Sequence, residues 1–141
     1  MNETWLRRLL FAAAAWNIVG GGSALLDPAQ HFAALYAVSL SLGDPLQLFF
    51  YRCTWINVIA WGAAYAMAAF YPESRTAVLA AGALGKGVYF VACVALFQSG
   101  AGNEILLAAG VVDLAFALLF AVALWLTESS SAAVRTPVAS S

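Results

Sequence analysis

Charge is what this sequence has least of: Asp, Glu, Lys and Arg make up 9% of its 141 residues, against roughly 25% in soluble domains. A water-soluble globule is excluded. Six Lys and Arg against seven Asp and Glu leave a formal net charge of −1, so there is no basic field to hold nucleic acid. Histidine occurs once, as His31, which excludes bis-histidine haem ligation and a His-rich metal cluster within one chain. The two cysteines, Cys53 and Cys93, are too few and too far apart for a disulfide scaffold or a zinc site. The glycine-rich stretches at Gly20–Gly22 and Gly82–Gly87 lack the preceding strand and the spacing of a phosphate loop. No Ser–His–Asp set or carboxylate pair suits hydrolysis, so no catalytic residue is assigned. No cofactor is identified.

Long apolar runs fill the space these absences leave. The residues Ala, Val, Ile, Leu, Met, Phe, Trp, Tyr and Cys make up 64% of the chain. A hydrocarbon layer of about 30 Å takes roughly 20 helical residues to cross, and Trp5–Leu26, Leu46–Tyr71, Thr76–Gln98 and Glu104–Thr127 are long enough. Because the runs are continuous rather than alternating, they predict helices, not barrel strands. The expected fold is an all-α integral membrane four-helix bundle over residues 1–127, followed by a polar, Ser- and Ala-rich tail over 128–141 that lacks periodicity. Asp44-Pro45 pairs an N-cap carboxylate with a first-turn proline and opens the second span. Asp27-Pro28 opens a short interfacial helix through His31–Leu42, stopped by Gly43. Asn103 caps the fourth span.

Arg7, Arg8, Arg75 and Arg135 fall on one side of this layout, whereas Asp27–Pro45 and Ser99–Asn103 contain no Lys or Arg. The positive-inside rule then puts both termini in the cytoplasm. Trp5, Tyr71 and Trp125 form the expected inner aromatic belt, with Phe49, Phe50, Tyr51 and Phe97 in the outer one. The first span reads as a retained anchor rather than a cleaved leader.

Each span carries one strongly polar side chain well inside it. Counting about 1.5 Å per residue from the cytoplasmic end, Lys86 lies roughly 15 Å deep, Asn17 roughly 18 Å, and Asn57 and Asp113 roughly 21 Å. Small residues three or four positions away, such as Ala13 and Gly20 beside Asn17 or Ala109 and Ala117 beside Asp113, indicate helix contacts. The reading is a midplane cluster in which Lys86 and Asp113 form an ion pair and Asn17 and Asn57 satisfy what is left over. Such a cluster either fixes helix register or serves a proton, ion or small lipid-soluble ligand. At the outer mouth Arg52, Gln47 and Tyr51 are candidate ligand or lipid contacts, though Arg52 is also placed to snorkel. Cys53 and Cys93 lie at comparable depth and are candidate redox thiols; small apolar fillers are the other reading. Trp16, Trp55 and Trp61 could wall a cavity for a flat apolar ligand.

The placement of Arg52, Gly62 and Tyr65 in the second span, Pro72 and Arg75 in the short turn, Gly82-x-x-Gly85-Lys86 in the third span and Asp113, Phe116 and Phe120 in the fourth resembles the DoxX-like small bacterial membrane proteins over Trp5–Trp125. That resemblance implies four helices in the bacterial cytoplasmic (inner) membrane and a role as a subunit. Some members are associated with quinone-linked sulfur oxidation or thiol stress complexes; this chain has no Cys-x-x-Cys. Three functional readings stand: a noncatalytic membrane subunit or small-ligand-binding protein, a small proton-coupled transporter or channel, and a quinone- or thiol-linked redox module. The partners expected are the lipid bilayer, a second copy or another membrane protein, and a small apolar ligand.

Overall fold

The computed structural model describes residues 2–134, with side chains through Thr127. Its elements are α1 (Glu3–Leu26), α2 (Pro28–Leu35), α3 (Pro45–Phe70), a 3-10 turn (Pro72–Ser74), α4 (Arg75–Gln98) and α5 (Glu104–Val134). All but α2 and the turn are long and apolar enough to cross a membrane, so the chain is an all-α, multi-pass membrane bundle. The helix starts follow the capping residues. Asp44 accepts from the backbone N–H groups of Leu46 and Gln47, Asp27 from that of Gln30, and Asn103 from those of Ile105 and Leu106.

One expectation about an element end is corrected. The interfacial helix stops at Leu35 rather than Leu42. Tyr36 turns to extended backbone there because the chain finds another partner: Ala37 N–H donates to the Ala101 carbonyl at 2.9 Å and Asn103 N–H to that of Leu35 at 3.0 Å. The Asn103 amide adds a bond to the Ala34 carbonyl, which ties α2 to the turn between α4 and α5. Gly100, at φ 76°, supplies the left-handed residue that turn needs. The fourth membrane-crossing stretch is Glu104–Thr127, and its helix α5 runs on to Val134. The remainder of the expected tail, with Arg135, lies outside the described residues.

The spans pack as two pairs, α1 with α3 and α4 with α5. Each pair closes where a glycine lets backbones approach. A Cβ on Gly62 would stand 2.7 Å from Ile18 Cγ1, one on Gly21 would stand 2.5 Å from Ile59 Cγ1, and one on Gly110 would stand 2.8 Å from Cys93 Cβ. The pairs meet in the half nearest Glu3 and the 72–74 turn, called here the basal half. Leu6, Leu10, Ala13, Tyr65, Ala69, Leu79, Phe120 and Ala123 fill that core. A smaller cluster of Leu35, Cys93 and Leu106 closes the opposite, capped end beneath α2.

Arg75 fastens the base. Its guanidinium donates to both Glu3 carboxylate oxygens at 2.7 and 2.8 Å, and to the Ala68 and Ala69 carbonyls at 2.8 and 3.3 Å. It therefore caps the end of α3 while holding the start of α1.

Candidate functional site

Lys86 and Asp113 are each less than a tenth exposed although both carry charge. In lipid an isolated charge at mid-depth costs about 2.5–3.5 kcal/mol on the most lenient scale, so the pair must satisfy itself. Lys86 Nζ donates to Asp113 Oδ1, and also to Asn17 Oδ1 at 2.9 Å. Asn17 in turn donates from Nδ2 to the Val58 carbonyl of α3 at 3.2 Å, so the triad bridges both helix pairs. The ammonium also lies 5.2 Å from the Phe116 ring centroid and 5.8 Å from that of Tyr65, within cation–π range.

Asn57 does not join. It is exposed, as are Cys53 and Ala60 on the same stripe of α3, so these small residues face away from the bundle. The inward face of α3 is instead set by Tyr51, Val58, Gly62, Tyr65 and Ala69, and Gly62 fixes it by admitting α1. Asn57 sits about one residue's rotation, roughly 100°, from that face.

Between the pairs lies a cavity of about 460 Å³ reaching from the triad toward α2. Asn17, Lys86 and Asp113 form its polar floor, and Trp16, Trp55, Trp61, Tyr65 and Tyr89 supply aromatic walls. Gly82, Gly85 and Ala109 line it without bulk. Gly82 is also required by packing, since a Cβ there would stand 2.8 Å from Tyr65 Oη. Gly85 faces open space.

At the mouth stands His31, whose Nδ1 is 2.9 Å from Tyr51 Oη and whose ring meets Trp55 edge-on at 4.5 Å. Burial pushes the His31 pKa down and favours the neutral ring. Tyr51, expected in the outer belt, is buried beneath this histidine. The other mouth candidates lie elsewhere. Gln47 accepts from Ser41 N–H at 2.8 Å and holds the loop before α3, and Arg52 is exposed. The candidate thiols are not brought together: both are free, Cys53 exposed and Cys93 buried against Gly110. In the sequence His31 served only to exclude haem and metal ligation; its partners Tyr51 and Trp55 lie 20 and more residues away, so no local signal marked the contact.

No protein-family model matches the chain, and no curated protein or solved structure does either.

Proposed function

We propose that this chain is a noncatalytic membrane protein that holds a small lipid-soluble molecule between its helix pairs. One observation carries the reading: the buried ion pair forms the floor of a cavity of about 460 Å³ instead of being sealed by side chains. Pairing that served only to fix helix register would gain from close packing, because each void forfeits contacts. The volume falls within the range of roughly 300–1,000 Å³ usual for small-molecule sites. Binding is favoured over a channel or carrier by the basal core, where Leu10, Phe120 and Ala123 are fully buried directly below the triad. The same reading seats the chain in a bacterial inner membrane, as the DoxX-like arrangement implies, with both termini cytoplasmic; Arg7, Arg8 and Arg75 at the basal end support that orientation. Native mass spectrometry from lipid nanodiscs tests it. A small-molecule adduct should accompany the native chain and be lost in Gly85→Phe, which fills the cavity at a position open to a side chain. No adduct, together with a solvent extract containing only bilayer lipid, would end the proposal.

A second reading, self-association, rests on Asn57. This residue is at the middle of α3, about 18 Å from either end, exposed and without a side-chain hydrogen-bond partner among the described residues. An amide is both donor and acceptor, so two copies of the α3 face can satisfy each other. Oxidation of Cys93→Ala protein in liposomes should give dimers joined through exposed Cys53, one turn away, and Asn57→Leu should suppress them. A strictly monomeric particle at every protein-to-lipid ratio would remove this reading.

A further inference from the structure

The cavity's floor and walls narrow what it can hold. Resting on the binding reading above, we infer that its ligand is a neutral molecule with a flat ring and one hydroxyl or N–H group that donates to Asp113.

Charge balance sets the first condition. The floor carries Lys86 and Asp113, already paired, and among the described residues no other Lys, Arg, Asp or Glu lines the cavity. A charged guest would bring an uncompensated charge to mid-depth, where that is costly. Hydrogen-bond accounting sets the second. Asp113 accepts only through Oδ1, and among the described residues no fully enclosed side-chain oxygen or nitrogen lacks a partner. The second carboxylate oxygen, which accepts from none of them, is therefore not sealed in, and Asp113 lines the cavity. A carboxylate is an acceptor only, and a bond to it is roughly twice as strong as one between neutral groups. Two of the three Lys86 donors are committed, and the ammonium is flanked by the Tyr65 and Phe116 rings. The strongest unmet group at the floor thus calls for a donor. An acceptor-only molecule such as a ketone or quinone would set its own oxygen against that carboxylate.

The walls set the third. Trp16, Trp55 and Trp61 line the cavity together with Gly85, which sends no side chain into it, and a flat ring among these aromatics gains contact. From Asp113 to Ile105 the wall of α5 rises about 12 Å, enough for one ring and a short chain. Val19 and Ile105 line the cavity yet are 71% and 58% exposed, so it opens sideways toward acyl chains. The guest enters from the bilayer rather than from water.

Four probes of equal chain length separate these conditions: 4-octylphenol, its methyl ether, octylammonium and octanoate. Each is added at the same concentration to the full chain in nanodiscs, and retention is read by native mass spectrometry. The phenol should be held at least tenfold more than its ether, and the two ions no more than by empty nanodiscs. The phenol should be lost in Gly85→Phe and fall to the ether's level in the Lys86→Met/Asp113→Asn double variant, with helical content checked by circular dichroism. Equal, Gly85→Phe-sensitive retention of phenol and ether would overturn the donor inference while leaving the binding reading intact. Preference for either ion would overturn neutrality. If no probe is retained in a manner sensitive to Gly85→Phe, and the native chain also carries no adduct, both readings fail.

Discussion

Lys86 places two of its donors on side-chain oxygens from two other helices, and this determines what its loss does. Removing one member of a buried pair strands the other, at a cost of about 3–5 kcal/mol, whereas removing both leaves two neutral side chains. Lys86→Met and Asp113→Asn should each lower the unfolding midpoint in detergent far more than the double variant does relative to either single change. Additive losses would contradict the pairing. Gly62 is the other sensitive position: Gly62→Val pushes two methyls against Ile18 and the Ala14 carbonyl. A loss of about 1–3 kcal/mol follows from overpacking, while Gly87→Ala, with nothing near its Cβ position, should be close to neutral. His31 gives a pH dependence. Because burial depresses its pKa from 6.5, the unfolded chain takes up a proton below that pH that the folded chain refuses. Stability contributed by neutral His31 is thus full above about pH 6.5 and is lost as pH falls toward the folded value. Thermal midpoints between pH 7 and 5 should fall less steeply in His31→Gln. Of the site itself, the Lys86–Asp113–Asn17 contact was legible in the sequence because an ionised side chain at mid-depth has few ways to be satisfied. Asn57 was misread because a neutral amide is cheap enough to face outward, and small residues occur on both faces of α3.

At the level of elements, span boundaries were readable to within one or two residues at most ends, since apolar length and the Asp-Pro caps are local signals. The end of α2 was not, because the Ala101 and Asn103 partners that stop it lie more than sixty residues away. Arg75 was read as a topological charge and as part of a family-like arrangement, yet it joins three elements. Its two kinds of bond differ in worth. Glu3 is 62% exposed in its side chain, so that pair contributes about 0–1 kcal/mol, whereas the carbonyls at the end of α3 would otherwise lack donors. Glu3→Gln should therefore barely move the unfolding midpoint, and Arg75→Ala should cost about 1.5–3 kcal/mol, the range for hydrogen bonds to a charged group. Equal effects would show that the ion pair, not the capping, holds the base.

Across the whole molecule, the larger core fills the basal half, a smaller one closes the capped end beneath α2, and the cavity lies between them. Amide hydrogen exchange should accordingly be slowest around Leu10, Ala69 and Phe120 and faster around Val19 and Gly85, with the gap narrowing when a guest is bound. That division was out of reach of the sequence, because apolar residues look alike whether they face a neighbour, a void or lipid. The pairing at the floor has one more consequence, in the electric field of an energised cell. A lone charge moved through the full potential feels about 2.3 kcal/mol per 100 mV. Lys86 and Asp113 form a couple without net charge, so the neutral guest proposed above would bind beside them without regard to membrane voltage.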